Sequence, residues 1–153
     1  MQAPRHIVVG TDLSDASKGA LETAAFFAEQ YDAKVTLCSA FDPTPFVVPV
    51  AIPGPSEILA AADEEVEGSV LASLRSLRDE FFQGRTDKVE VVALRHPSAG
   101  EAIAELARDK DADLVVVGSH GRTGIRRVLL GSVAEKVVRM SPCDVHVSRS
   151  KER

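Results

Sequence analysis

The chain has 153 residues and a formal net charge of −5, and its length predicts a single domain covering residues 1–153. Hydrophobic residues make up 44% and charged residues 27% of the sequence. This ordinary globular usage excludes a disordered chain and a disulfide mini-protein. The acidic balance argues against a nucleic-acid partner, because a phosphate backbone requires a broad basic face.

The start of the chain, M-Q-A-P-R-H-I-V-V-G, has too short an apolar run for the core of a signal peptide. No stretch reaches the ~18 apolar residues that a membrane span needs. The two cysteines, Cys38 and Cys143, do not form a disulfide framework. We therefore expect a cytoplasmic protein in which both cysteines act as small hydrophobic residues.

Strand and helix patterns alternate along the chain. Short β-branched runs predict five strands, over residues 5–10, 34–41, 88–94, 113–118 and 144–148. Helical spacing of apolar residues predicts four helices: one capped by Ser14 or Asp15 with its apolar face reaching Tyr31, and others over residues 57–82, 98–110 and 132–140. This alternation favours an α/β fold, a doubly wound and mostly parallel sheet with helices on both faces.

Residues 42–56 break the alternation. They contain five of the eight prolines, which forbid a central strand or a helix. The segment also carries Phe46, Val48 and Ile52. Two interpretations stay open: an ordered surface loop packed on the core, or a flap that contacts a partner or a second copy of the chain.

In open α/β sheets, ligands bind beyond the carboxyl ends of the strands. Of the segments that follow the predicted strands, the one after the fourth strand is the most informative. In it, Gly118, Ser119, His120 and Gly121 are followed by nine residues and then by Gly131 and Ser132, where a helix is predicted to begin. Glycines allow close approach of a ligand, and a helix N-terminus attracts an anion. Arg122, Arg126 and Arg127 add positive charge. The alternative is that the glycines are plain turns, Ser132 is an ordinary N-cap and the arginines are solvated.

This spacing is neither a Walker A motif nor a dinucleotide fingerprint. G-x2-G-x9-G-[ST] resembles the nucleotide-binding signature of the ATP-binding branch of the universal stress protein family. Three phrases strengthen the resemblance: V-V-G-T-D-L-S-D-A-S, D-L-V-V-V-G-S-H-G-R-T-G and G-S-V-A-E-K-V-V.

The resemblance implies a Rossmann-like sheet of strand order 3-2-1-4-5, a homodimer, and ATP held between the first turn and the glycine loop. Asp12, with Gly10 and Thr11 beside it, would meet the ribose and adenine, and Ala40 would meet adenine. Val117 and Val133 would line the pocket. The ribose and phosphates would be held by Gly118, Ser119, Gly121, Arg122, Gly131 and Ser132. Mg²⁺ could arrive bound to the nucleotide.

Some positions differ from the family pattern. Gly10 stands where Pro or Val is common and Ala40 where a larger aliphatic is common, which predicts looser packing of adenine. The last strand, D-V-H-V-S, is more polar than is usual at the dimer edge.

The candidate chemistry favours a sensor or regulator over an enzyme. Ser119 and His120 lack the G-x-S-x-G elbow of a hydrolase, and no histidines have metal-ligand spacing. All four histidines, His120 included, are therefore predicted to be surface or strand residues. We expect a nucleotide-dependent regulator that acts through an unknown protein partner. The alternatives are a slow ATP hydrolase or autophosphorylating protein, and an interaction module that binds no nucleotide.

Overall fold

The computed structural model describes residues 2–42, 56–120 and 130–149. Its strands are β1 (His6–Gly10), β2 (Lys34–Phe41), β3 (Val89–Arg95), β4 (Leu114–Gly118) and β5 (Asp144–Ser148). Its helices are α1 (Lys18–Tyr31), α2 (Ser56–Phe81), α3 (Ala99–Asp109) and α4 (Ser132–Met140). Short 3-10 turns at Asp15–Ser17 and Thr86–Lys88 precede α1 and β3.

The five strands form one parallel sheet of order β3-β2-β1-β4-β5. This confirms the predicted fold class and strand order. β1 is central and entirely buried from Ile7 onward, as expected for a strand covered on both faces. The order reverses between β1 and β4, so the carboxyl ends of these two strands flank the crevice where such sheets bind ligands.

Alternation along β1 divides the core between the two faces of the sheet. Ile7 and Val9 pack with Leu21 of α1 and Leu74 of α2. Val8 packs on the other face, in a cluster formed with side chains of α3 and α4. Each fully buried aliphatic side chain contributes about 1.5–3 kcal/mol. Helices on both faces therefore hold β1 and β4 firmly under the crevice.

Predicted boundaries agree with the observed ones to within a residue for most elements, and the differences have local causes. β3 begins at Val89 because Lys88 ends a 3-10 turn. The residue after α2, Phe82, is buried, and Gly84 follows with a left-handed φ of 76°, the conformation for which glycine is preferred at a helix end. Residues 43–55, the proline-rich part of the predicted loop, lie outside the described residues.

The start of α1 differs from the prediction. Neither Ser14 nor Asp15 caps it, because Asp15–Ser17 forms a 3-10 turn and Ser17 is the N-cap without a side-chain hydrogen bond. The Ser17 hydroxyl instead donates to the Ser14 carbonyl at 2.7 Å. The predicted apolar face is also wrong at its last position, since Tyr31 is 48% exposed. It is the final residue of the helix, where the chain turns through a left-handed Asp32.

Both cysteines are free. Cys38 is fully buried on β2, and burial raises the pKa of its thiol to about 12. Burial also raises the pKa of the half-buried Cys143 thiol, which packs against the α3–α4 cluster. Within the described ranges, no helix is both long and apolar enough to cross a bilayer.

Candidate functional site

A cavity of about 310 Å³ opens at the carboxyl ends of β1 and β4. Its size falls within the range of small-molecule sites. The walls come from the turn after β1, the end of β2, the loop after β4 and the starts of α3 and α4. The lining residues are Gly10, Thr11, Asp12, Ser17, Ala40, Ala99, Ile103, Val117, Gly118, Ser119, His120, Gly131, Ser132, Val133 and Ala134.

Ten of the twelve predicted site residues line this one cavity. They are Gly10, Thr11, Asp12, Ala40, Val117, Gly118, Ser119, Gly131, Ser132 and Val133. The other two, Gly121 and Arg122, lie outside the described residues, as do Arg126 and Arg127. Residues separated by more than a hundred positions in the sequence therefore meet at one edge of the sheet.

The turn after β1 is held by its own polar side chains. The Asp12 Oδ1 atom accepts hydrogen bonds from the Ser14 N–H at 3.0 Å and from the Ser14 hydroxyl at 2.5 Å. The Leu13 N–H donates to Thr11 Oγ1 at 3.0 Å, and Leu13 adopts a φ of 65°, which is uncommon for a branched residue. Asp12 thus folds the turn itself and also lines the cavity.

The start of α4 is bonded to the end of the preceding segment. The Gly131 N–H donates to the Ser119 carbonyl at 2.8 Å, and the Ser119 N–H donates to the Ser148 carbonyl of β5 at 2.8 Å. Gly131 is the N-cap, and no side chain caps the helix. The alternative interpretation of Ser132 as an ordinary N-cap is therefore wrong by one position: Ser132 is the first helical residue and is exposed.

Two helix N-termini face the cavity, because Ala99 begins α3 and Ser132 begins α4. The first N–H groups of a helix have no intrahelical carbonyl to bond, and the helix dipole gives them partial positive charge. Among the described lining residues, Asp12 is the one formal charge. The cavity therefore combines a carboxylate at the β1 side with anion-attracting backbone at the other.

The two helices touch closely at Gly100. A Cβ placed there would lie 2.8 Å from Lys136 Cβ and 3.1 Å from the Val133 carbonyl oxygen. Lys136 Nζ bonds to Glu101 Oε1 at 2.7 Å and to Ser98 Oγ at 3.3 Å, and the Lys136 ammonium lowers the pKa of Glu101. Ser98 is the N-cap of α3 as predicted, but its side chain makes no cap hydrogen bond.

The space beside Gly10 is filled from α3. A Cβ at residue 10 would lie 2.7 Å from Ile103 Cδ1 and 3.3 Å from Val117 Cγ1. Because Gly10 has no side chain, Ile103 of α3 has room to form part of the cavity wall. Ala40 is half-buried at the end of β2 and lines the cavity.

Five lining residues were absent from the predicted set: Ser17, Ala99, Ile103, His120 and Ala134. Helical spacing over residues 98–110 places Ile103 on the apolar face of the third helix. That pattern does not distinguish a core residue from a residue of the cavity wall. His120 departs most from expectation. It lines the cavity, and its Nδ1 atom lies 2.9 Å from Ser119 Oγ.

The described residues contain no ready-made cluster of metal ligands. Within the described residues, no group of three or more His, Cys, Asp or Glu side chains is arranged to hold a metal ion. The polar groups that the described walls offer are backbone N–H groups, hydroxyls, Asp12 and His120.

Comparison with known proteins assigns the family. The sequence model of the universal stress protein family matches residues 4–149. The chain belongs to the universal stress protein family. A universal stress protein of Methanocaldococcus jannaschii is 34% identical over 149 residues, covering 97% of this chain and 84% of the relative.

Two solved universal stress proteins extend the comparison to structure. The protein UspA from Lactobacillus plantarum is 25% identical, with a TM-score of 0.74 over 97% of this chain and 100% of that one. A universal stress protein solved in complex with cAMP is also 25% identical, with a TM-score of 0.68 over 98% of this chain and 100% of that one.

Proposed function

We propose that this universal stress protein is an ATP-binding regulator, which holds an adenine nucleotide in its cavity and signals through a protein partner. One observation carries the proposal. The turn at residues 10–12, the end of β2, the Gly118–Ser119 pair and the start of α4 all converge on a single cavity. A related universal stress protein has been solved with cAMP, which supports an adenine nucleotide as the ligand.

Each wall suits one part of the nucleotide. A carboxylate at a strand end accepts hydrogen bonds from ribose hydroxyls, which is the role proposed for Asp12, with Gly10 and Thr11 beside it. Ala40 faces adenine, and Val117 and Val133 supply apolar contact. The phosphates lie against the uncapped start of α4. The residues proposed to hold the ribose and phosphates are Gly118, Ser119, Gly121, Arg122, Gly131 and Ser132.

Binding, not turnover, is the proposed activity, and Mg²⁺ enters with the nucleotide through its phosphates. We place this work in the cytoplasm and in a homodimer. β5 is an edge strand of the sheet, and exposed edges pair readily with another chain. The exposed apolar side chains of α4, Val138 and Met140, are further surface that a second copy or a partner protein would cover.

Nucleotide retained through native purification is the test of the proposal. Mass spectrometry of the released ligand should identify ATP, and titration calorimetry should rank ATP above AMP and cAMP. Absence of any bound or titrated nucleotide would leave an interaction module. Steady multiple turnover of ATP with Mg²⁺ would establish a hydrolase instead.

A further inference from the structure

The sheet has a second open edge, formed by β3, on the side opposite β5. The His96 N–H, just beyond β3, donates to the Phe41 carbonyl of β2 at 3.0 Å. Because backbone groups alternate in direction along a strand, the N–H and C=O groups of Val91 and Ala93 point away from β2. Within the described residues, these four groups have no hydrogen-bond partner. β3 therefore offers unpaired donors and acceptors to another strand.

This stretch of β3 lacks the protection that edge strands usually carry. Charged side chains and prolines are common ways to block pairing at an edge, and residues 91–94 contain neither. Val91 packs in the cluster that contains Leu74 of α2. Val92 and Leu94 lie at the margin of the cluster on the α3 face, where they are only half-buried. The α3 face of this edge is therefore apolar and partly open.

A second cavity, of about 140 Å³, adjoins this open face. Its volume lies below the range of about 300–1,000 Å³ that small-molecule sites occupy. Leu94 of β3 and Ala102 and Leu106 of α3 supply its apolar walls, and Glu105 and Asp109 of α3 add two carboxylates. When a strand is added to a sheet edge, pockets of this kind each take one of its side chains.

The charges around the second cavity favour a cation. Glu105 and Asp109 are exposed and have no ion-pair partner within the described residues. Arg95, which also lines the cavity, is ion-paired with Asp63 of α2. His96 lines it too, and its Nδ1 atom accepts a backbone hydrogen bond. Apolar walls beside two unpaired carboxylates fit a lysine or arginine side chain, which has an apolar stem and a cationic head.

We propose that β3 and the second cavity are the docking site for the protein partner, an inference that rests on the proposed function for the existence of that partner. The partner contributes an extended segment, which adds to the sheet beside β3 and places a lysine or arginine between Glu105 and Asp109. The second copy of the chain is proposed to pair at β5, the opposite edge of the sheet, so β3 stays open in the dimer.

One helix borders both cavities. α3 contributes Ala99 and Ile103 to the nucleotide cavity and Ala102 and Leu106 to the second cavity. A partner docked at β3 therefore contacts an element that the nucleotide also contacts, which suits a nucleotide-dependent regulator.

A synthetic peptide, acetyl-Ser-Val-Thr-Arg-Thr-Val-Ser-amide, tests the docking site by NMR titration of the full ¹⁵N-labelled chain. In an extended peptide the arginine and both valines lie on one face. The Val91 and Ala93 amides should shift most, and their hydrogen exchange should slow at saturating peptide because their N–H groups gain partners. A peptide with glutamate in place of arginine should bind at least about tenfold more weakly, because like charges then meet.

Variants of the chain test the carboxylates separately. Glu105→Gln combined with Asp109→Asn should weaken binding of the arginine peptide about fivefold or more at low salt, where exposed charge pairs are least screened. Glu22→Gln combined with Glu29→Gln is the matched control, since it removes two exposed carboxylates from α1 on the other face of the sheet. This control should bind the peptide as the wild type does.

Several results would overturn the docking site: no amide shifts in β3, equal affinity for the two peptides, or equal weakening in both double variants. Val91 and Ala93 amides that are already protected from exchange in the free chain would also overturn it, because a second copy would then cover β3. Calorimetry with ATP separates this failure from that of the proposed function. A chain that binds ATP but not the peptide loses only the docking site, and one that binds no ATP loses the proposed function.

Discussion

Gly131 and Ser119 are in main-chain contact so close that no side chain fits between them. The Gly131 N–H donates to the Ser119 carbonyl at 2.8 Å, and a Cβ at residue 131 would lie 2.9 Å from that same oxygen. Gly131 has a φ of −61°, an angle that any residue adopts. Glycine is required here by the close approach, not by the backbone conformation.

A larger residue at this position should therefore move the start of α4. Gly131→Val should lower the free energy of unfolding by about 1–3 kcal/mol, as overpacking does, and weaken ATP binding at least about tenfold in calorimetry. Gly68→Ala is the control. It adds a methyl group in the interior of α2 with nothing within 4 Å, and should gain up to about 1 kcal/mol of stability with unchanged ATP affinity. Unchanged affinity in Gly131→Val would remove this wall from the site.

Asp12 is expected to act twice, in the turn and on the ligand. Asp12→Ala removes the acceptor of two hydrogen bonds from Ser14 and should lower the free energy of unfolding by about 1–3 kcal/mol. It should also weaken ATP binding at least about tenfold, because the proposed ribose contact is lost. Ser14→Ala loosens the same turn and keeps the carboxylate. Equal ATP affinities of the two variants would mean that Asp12 only holds the turn.

Asp113 should make the fold sensitive to acid. Its Oδ2 atom accepts hydrogen bonds from the Arg5 N–H at 2.8 Å and the His6 N–H at 2.9 Å, which lower the pKa of the carboxyl group. A lowered pKa in the folded state stabilises the protein above the unfolded value of about 3.9. That contribution is lost as pH falls through the lowered pKa.

The measurement is chemical denaturation of wild type and Asp113→Ala across pH. The variant should be less stable by about 1–3 kcal/mol at pH 7, and the difference should shrink below about pH 4. A difference that stays constant down to pH 2 would assign the loss to packing instead of to the charged carboxylate.

The hydrogen-bond directions of β5 allow a test of the proposed homodimer. The Ser148 carbonyl bonds to the Ser119 N–H on the β4 side, and backbone groups alternate in direction along a strand. The N–H groups of Val145 and Val147 therefore point to the open edge. Val145→Pro should convert the dimer to a monomer in light scattering, because proline removes an outward donor and is tolerated at an edge.

Val145→Ala is its matched control, because it shortens the side chain and keeps the N–H group. This variant should remain a dimer at tens of micromolar. If Val145→Pro remains a dimer as well, the copies meet through another surface.

The strands of the sheet could be predicted because each one is marked by the residues of its own short segment. Buried parallel strands such as β4 are continuous β-branched runs ended by glycine, and the family motif places the site residues on strand ends. What escaped prediction depends on contacts between distant elements. Ile103 enters the cavity because Gly10 has no side chain, and the start of α1 is set by where the Ser14 and Ser17 hydroxyls point. The role of His120 as the partner of Ser119 likewise depends on a rotamer, which no residue pattern specifies.

A single residue, Ser119, connects the cavity to the edge strand β5. The Ser119 carbonyl accepts a hydrogen bond from Gly131 at the start of α4, and the Ser119 N–H donates to the Ser148 carbonyl of β5. Ser119 is therefore the one residue between the start of α4 and Ser148 in this chain of hydrogen bonds. Ser148 in turn packs against α1, where its Oγ would lie 3.2 Å from a Cβ at Gly19. Hydrogen bonds of a single residue, Ser119, therefore link the cavity wall at the start of α4 to β5, the edge strand at which we propose that two copies pair.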